Sequence, residues 1–175
     1  MTGKVIQAGF FNRPTLEVAE GILGKYLVRK TSSEIFSSRI TEVEAYAGFE
    51  DKASHAHKGM TKRNQVMYGQ AGFFYVYLCY GMYWMLNIVT EKKGYPAALL
   101  FRGLENITGP GRLTKKLQID SSFDGRKALK KNGLWFEDVG EENIKYNITR
   151  TSRIGVAYAG KKWAGVPYRF ILQKE

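Results

Sequence analysis

Residues 75–87 read YVYLCYGMYWMLN, from Tyr75 to Asn87, and the rest of the chain is read outward from this tract. Tyr80-Gly81 in its middle is a turn signal. The apolar and aromatic runs on either side, residues 73–78 and 83–89, have the composition of two strands, so the tract predicts a hairpin. Alternation puts Tyr75 and Tyr77 on one strand face, opposite Val76 and Leu78. Tyr75, Tyr83 and Trp84 are expected to pack inside. Tyr80 and Met82 stand at the tip, where burial in their own domain is hard. A ring and a thioether held out in this way suit a wedge between base steps of a duplex.

The flanking sequence supplies more strands and few helices. Residues 16–23 place Leu16, Ala19 and Leu23 on one helical face, and Gly24 is a stop signal. Residues 26–30, 38–45 and 97–103 read as strands. In the second of these, strict alternation sets Ile40, Glu42 and Glu44 on one side and Arg39, Thr41, Val43 and Ala45 on the other. Residues 50–57 and 63–67 read as short helices. Gly109-Pro110-Gly111 is a tight loop feeding a basic helix over 112–117. Residues 120–147 are polar with few periodic apolar positions and read as a loop-rich surface excursion. Residues 154–159 and 168–172 read as closing strands. The class is mixed α and β, mostly antiparallel, with no composition break that marks a linker.

A chain of 175 residues fits one domain, residues 1–175. It carries 27 Lys and Arg against 16 Asp and Glu, a formal charge of +11, which attracts polyanions. Solvated surface lysines are the plainer reading of the same count. The single cysteine, Cys79, excludes an internal disulfide. Two histidines and one cysteine are a poor metal inventory, and neither HExxH nor paired CxxC is present, so no metal and no cofactor are expected. The first residues lack a signal-peptide run, no stretch reaches membrane-span length, and no broad amphipathic helix is evident. A cytoplasmic, nucleoid-associated role follows as the expectation.

Four groups of residues could carry chemistry. Glu42 and Glu44 share a strand face, where two solvated carboxylates are the commoner case. Glu44-Ala45-Tyr46, however, sets an acid beside a ring at a strand end, and a carboxylate in a partly closed cleft can deprotonate water or stabilise a developing cation. His55 and His57, two apart, do not share a helical face, so hydrogen bonding to a phosphate or fixing of the loop suits them better than a metal. Thr61, Lys62, Arg63 and Asn64 suit phosphate contact, or equally a helix cap followed by solvated charge. Gly109-Pro110-Gly111 either presents N–H groups to a phosphate or is a plain turn, with Arg112, Lys115 and Lys116 beyond it.

At these residues the sequence resembles the alkyladenine DNA glycosylases, the mammalian-type 3-methyladenine DNA glycosylase family. The resemblance rests on TEVEAYAGFEDKASH (residues 41–55), TKRN (61–64), YVYLCYGMYWMLN (75–87), LLFRGLE (99–105) and TGPGRLTKKL (108–117), in that order. It implies an α+β fold: one compact domain around a curved, mainly antiparallel sheet with a protruding hairpin that enters the minor groove. It implies hydrolysis of the N-glycosidic bond of damaged purines, chiefly 3-methyladenine and 7-methylguanine, with hypoxanthine and etheno-adenine as further candidates. The partner is then double-stranded DNA carrying alkylated or deaminated purines, bound by a monomer.

The resemblance also assigns residues. Glu44 matches the water-activating base, and Tyr46 and Tyr77 match the rings that sandwich the extruded base. His55 matches a pocket-lining residue, Asn87 the pocket floor that disfavours the guanine amino group, and Arg102 a basic residue beside the pocket. Tyr80 matches the intercalating side chain. Met82, Arg63, Asn64, Arg112 and Lys115 are expected to contact DNA. Met60 and Lys62 depart from the family pattern, which commonly has arginine and proline there. A non-catalytic nucleic-acid-binding module would explain the charge and the rings equally well, but gives Glu44 no task.

Overall fold

The computed structural model describes residues 3–140 and 146–174. In chain order the strands are β1 (Lys4–Val5), β2 (Tyr26–Lys30), β3 (Ile35–Ala47), β4 (Phe74–Cys79), β5 (Tyr83–Val89), β6 (Ala97–Leu104), β7 (Ile107–Thr108), β8 (Leu134–Asp138), β9 (Tyr146–Thr151) and β10 (Arg169–Lys174). Helices are few and short: α1 (Ala8–Phe11), α2 (Thr15–Ile22), α3 (Pro110–Lys116) and α4 (Gly160–Gly165). The strands form an antiparallel sheet of order β1-β8-β2-β3-β6-β5-β4, with β10 between β3 and β9 and with β7 against β6. This is the expected α+β class. Among the described residues no helix is long and apolar enough to cross a membrane.

The largest apolar cluster draws on the whole chain, from Ile6 to Phe170, and is covered in part by Val18, Ala19 and Ile22 of α2. The strand β3 organises it. Its first half pairs with β2, its second half with β10, and its other edge with β6 along most of its length. The pairing with β6 is not regular. Ile40 faces Leu104 and Glu42 faces Gly103, so Thr41 is an extra residue on β3. Val43 then faces Phe101, so Arg102 is an extra residue on β6. Two neighbouring bulges therefore cancel in register, and each reverses the in–out phase of its strand.

The strict alternation expected for β3 is corrected by these bulges. Ile40, Val43 and Ala45 all enter the main core, while Glu42, Glu44 and Tyr46 look to the opposite side. Gly103 makes the close approach feasible, since a Cβ there would lie 3.0 Å from the Glu42 Cβ and 3.0 Å from the Thr41 Oγ1.

Four further expectations are corrected. Residues 50–57 form turns, not a helix, because the Asp51 carboxylate takes the Ala53 N–H at 3.0 Å and competes with helical bonding. Residues 63–67 give only a 3₁₀ turn, Gln65–Tyr68. The closing strand before β10 is β9, and 154–159 form a turn followed by a 3₁₀ helix, Ala157–Ala159, because the Ile154 N–H goes to the Glu44 carboxylate and not to a ladder. Tyr83 is half exposed, packed on the Cβ-free face of Gly111 and not inside.

The supposed excursion over 120–147 contains β8, a buried strand hydrogen-bonded to both β1 and β2; residues 141–145 lie outside the described residues. Phe136 of β8 is fully buried among Phe11, Phe74 and Phe101. Phe136→Ala should therefore cost about 3–5 kcal/mol of stability, read from the urea midpoint at unchanged m-value. A surface excursion would lose less than about 0.5 kcal/mol.

Candidate active site

The two bulges set four charged groups together on the side of the sheet away from the main core. Arg102 donates from Nη1 to Glu44 Oε2 at 3.3 Å and from Nε to Glu42 Oε1 at 3.2 Å. Arg169 of β10 donates to the same Glu42 oxygen at 2.7 Å. Glu44 is fully buried. Its Oε2 also accepts the Tyr46 hydroxyl at 2.8 Å, and its Oε1 accepts the Ile154 N–H at 2.7 Å. Tyr46, Arg102 and Ile154 all line a broad cleft of about 1160 Å³. The carboxylate thus lies one side chain behind the cleft wall, and solvent reaches it only past those three residues. Burial, and then the Glu44 charge, raise the Tyr46 pKa far above its ordinary value, so the phenol stays protonated and donates.

A narrower pocket shares Tyr46, His55, Tyr77 and Tyr158 with this cleft, and Ala53, Met67, Tyr75, Asn87 and Ala98 complete it. Tyr77 comes from β4, with its phase set by the alternation seen in the sequence. Its pKa, like that of Tyr75, is pushed well up by burial. The Asn87 amide donates to the Tyr75 carbonyl at 3.0 Å, which ties β5 to β4 at the pocket. The His55 Nδ1 is 3.0 Å from the Tyr75 hydroxyl, and its ring meets Tyr77 edge-on at 4.7 Å. Loss of hydration against these rings lowers the His55 pKa, and the Arg63 charge lowers it further. His55 is therefore neutral at pH 7.

A buried ion pair props this pocket from behind. Arg153 grips Asp51 with both terminal nitrogens, at 2.5 and 2.8 Å, and both residues are shut off from solvent. Arg153 also donates to the Ala45 carbonyl at 2.7 Å and lies 4.7 Å from the Tyr46 ring centroid. Asp51 holds the turn that carries His55 by accepting the Ala47 and Ala53 N–H groups. One pair thus fixes both the Tyr46 ring and the loop opposite it.

The tip between β4 and β5 projects as expected, with Tyr80 87% and Met82 67% exposed. Tyr80 and Gly81 both take positive φ, 51° and 68°, and the Met82 N–H returns to the Cys79 carbonyl, as a tight hairpin turn requires. Positive φ is strained for tyrosine, so the fold holds this ring outward at a cost of about 1–3 kcal/mol. Arg112 and Lys115 are exposed on α3, which is fastened to the hairpin by a bond from the Thr114 hydroxyl to the Trp84 carbonyl at 2.9 Å.

Two expected DNA contacts lie differently. Asn64 is buried, and its side chain is spent on His55, Gly59 and Thr61 backbone groups, so it shapes the His55 loop from within. Arg63 is exposed but turns back over Tyr77, 4.9 Å from the ring centroid.

Sequence reading missed Tyr158, Ile154, Arg169 and the Asp51–Arg153 pair. Tyr158 walls both pocket and cleft, and its hydroxyl donates to the Ala53 carbonyl at 2.8 Å. Ile154, Tyr158 and Arg169 lie far from the aromatic tract in segments whose pattern reads as strands, Asp51 falls in a segment whose pattern reads as a short helix, and no motif marks Arg153. Among the described residues no group of three metal-ligating side chains is present.

A family model described as methylpurine-DNA glycosylase matches residues 9–109 and 105–175 of the chain. A protein of Legionella pneumophila (strain Lens), named "Putative 3-methyladenine DNA glycosylase", is 45% identical over 171 residues, covering 94% of this chain and 92% of its own. One of the same name from Methanocella arvoryzae is 45% identical over 186 residues, covering 95% and 91%. Another, from Wolbachia pipientis wMel, is 44% identical over 170 residues, covering 93% and 91%.

A folded-state pKa below the ordinary 6.5 means that the native structure prefers neutral His55. Its contribution to stability is full above pH 6.5 and fades as the pH falls through the lowered value. The stability difference between the wild type and His55→Gln, from thermal melts between pH 8 and pH 5, should be level at high pH and shift against the wild type below about 6.5. A difference independent of pH would show that His55 is not held neutral.

Proposed function

The chain belongs to the methylpurine-DNA glycosylase family, and on that premise we propose that it extrudes a damaged purine from duplex DNA and hydrolyses its N-glycosidic bond, leaving an abasic site. The enzyme is a 3-methyladenine DNA glycosylase, a hydrolase of N-glycosyl bonds. The observation that carries the reading is the Glu44 carboxylate, fixed by three cleft residues beside a tyrosine-lined slot.

A target atom stacked inside a duplex is out of reach, and extrusion costs about a few kcal/mol, least for a damaged or mismatched base. Tyr80 offsets part of that cost by stacking in the vacated place, with Met82 beside it. The extruded purine enters the slot between Tyr46 and Tyr77. A purine alkylated at N3 or N7 carries positive charge and gains about 0.5–2 kcal/mol of cation–π attraction per ring. Asn87 forms the pocket floor and disfavours a guanine amino group there.

Glu44 accepts a proton from water as the water oxygen attacks the anomeric carbon, and its charge stabilises the oxocarbenium-like transition state. Its Oε1 accepts only the Ile154 N–H among the described residues, and water approaches as the nucleotide displaces Tyr46 or Arg102 from the screen in front of it. No lysine lines the narrow slot among the described residues, so the chemistry needs no Schiff base and leaves the strand uncut. Lys52 and Lys58 along the cleft, with Arg112 and Lys115 of α3, hold phosphates without reading sequence. The whole chain acts as one domain and as a monomer, in the cytoplasm, and its main core spans both ends of the sequence.

Glu44→Gln should cut release of purines from methylated or hypoxanthine-containing duplex by about 10²–10⁴-fold under single-turnover conditions, with duplex affinity kept. Full release by that variant would remove Glu44 from the mechanism. No release by wild type on any modified purine would favour a non-catalytic DNA-binding module. Tyr80→Ala should weaken binding to lesion duplex about tenfold or more and to the single strand far less. Equal losses on both would show that the ring stacks generically.

A further inference from the structure

The two slot tyrosines each carry an arginine, but only one of the two arginines has its charge compensated by a carboxylate. Arg153 lies over the Tyr46 ring at 4.7 Å, and its charge is cancelled by the bidentate carboxylate of Asp51. Arg63 lies over the Tyr77 ring at 4.9 Å and pairs with no carboxylate among the described residues. Its Nη2 donates only to the neutral Leu78 carbonyl, at 3.0 Å. The other arginine at the cleft, Arg102, is flanked by Glu42 and Glu44. The slot therefore has balanced charge on its Tyr46 side and an uncompensated cation on its Tyr77 side.

We propose that Arg63 is a specificity-determining residue that favours neutral modified purines over cationic ones, by stabilising the negative charge that a neutral base acquires as it leaves. The inference rests on the glycosylase reading above. When the bond between C1′ and the purine nitrogen breaks, its electron pair goes to the purine. Water supplies the oxygen that bonds to C1′, and its proton goes to Glu44. A cationic alkylpurine leaves neutral and needs no help. A neutral purine such as hypoxanthine leaves as an anion, which solvent protonates afterwards, so a cation beside it lowers the barrier. The same cation repels an alkylpurine that arrives charged. His55, on the same side of the slot, is held neutral and cannot take over this task.

The proposal separates Arg63 from the phosphate-holding cations. Lys58 lines the same cleft and is exposed, but has no place on a slot ring among the described contacts. Losing a phosphate contact weakens every duplex alike, whereas losing Arg63 changes the ratio between lesions.

The test compares single-turnover release of 7-methylguanine with that of hypoxanthine in identical duplex contexts, for wild type, Arg63→Gln, Arg63→Lys and Lys58→Gln. Arg63→Gln should raise the ratio of cationic to neutral release about tenfold, chiefly through slower hypoxanthine release. Arg63→Lys should stay near the wild-type ratio, and Lys58→Gln should leave it unchanged. An unchanged ratio in Arg63→Gln, with both substrates slowed equally, would overturn the proposal and make Arg63 a phosphate or ring support. A shift in Arg63→Lys as large as in Arg63→Gln would also overturn it, because geometry and not charge would then be responsible. Wild type that releases neither base would remove the glycosylase reading itself, and this inference with it.

Discussion

The double bulge between β3 and β6 is the constraint on which the site depends. A regular ladder would put Ile40 in phase with Glu42 and Glu44, and would force either an isoleucine into the cleft or two carboxylates into the apolar core. Either is costly: burying an unpaired carboxylate outweighs any single hydrophobic contact. One extra residue on each strand resolves the conflict. Ile40, Val43 and Ala45 join Leu99, Phe101 and Leu104 inside, while Glu42, Glu44 and Arg102 gather on the other side. Bulges are common beside active sites because they re-aim side chains without breaking the sheet.

The site on that side is held by paired charge. Glu42 shares two arginines, Glu44 shares one with it, and Asp51 takes Arg153 alone. Buried pairs of this kind add little net stability over well-packed apolar groups, but breaking one leaves an uncompensated charge. Their value here is positional. The chain segments they tie, β3, β6, β10 and the turns at 51–54 and 153–159, are distant in sequence, and their side chains must meet within hydrogen-bond distance. The hairpin tip obeys the opposite rule. Tyr80 makes its case by lacking burial, in a backbone conformation a tyrosine adopts only under constraint.

Much of this was legible in the sequence, and the gaps have physical reasons. The β4–β5 hairpin was evident because alternation, β-formers and Tyr80-Gly81 agree. The pocket faces of Tyr75 and Tyr77 followed from period 2. The bulge in β3 had left a trace, an isoleucine in phase with two glutamates, but strict alternation conceals the inserted residue. β8 was hidden because Trp135 and Phe136 sit between polar turns, and a short strand paired on both edges needs no alternation. The strand expected over 154–159 failed because a carboxylate 110 positions away captures the Ile154 N–H, which no local pattern encodes. Asn64 looked like a DNA contact and proved to be a loop brace, since its amide finds three backbone partners within the same turn region.

The central claim is spatial: a purine turned out of the helix lies between Tyr46 and Tyr77, with its sugar facing the Glu44 carboxylate and Tyr80 in the gap. A crystal structure of the wild-type chain on a duplex carrying etheno-adenine, with a 2′-fluoro sugar that resists hydrolysis, tests it directly. The account requires the etheno-adenine in the slot and ordered water or the C1′ atom within reach of Glu44 Oε1. An etheno-adenine still stacked in the duplex, with Tyr80 outside the groove and Glu44 sealed behind Tyr46 and Arg102, would contradict it.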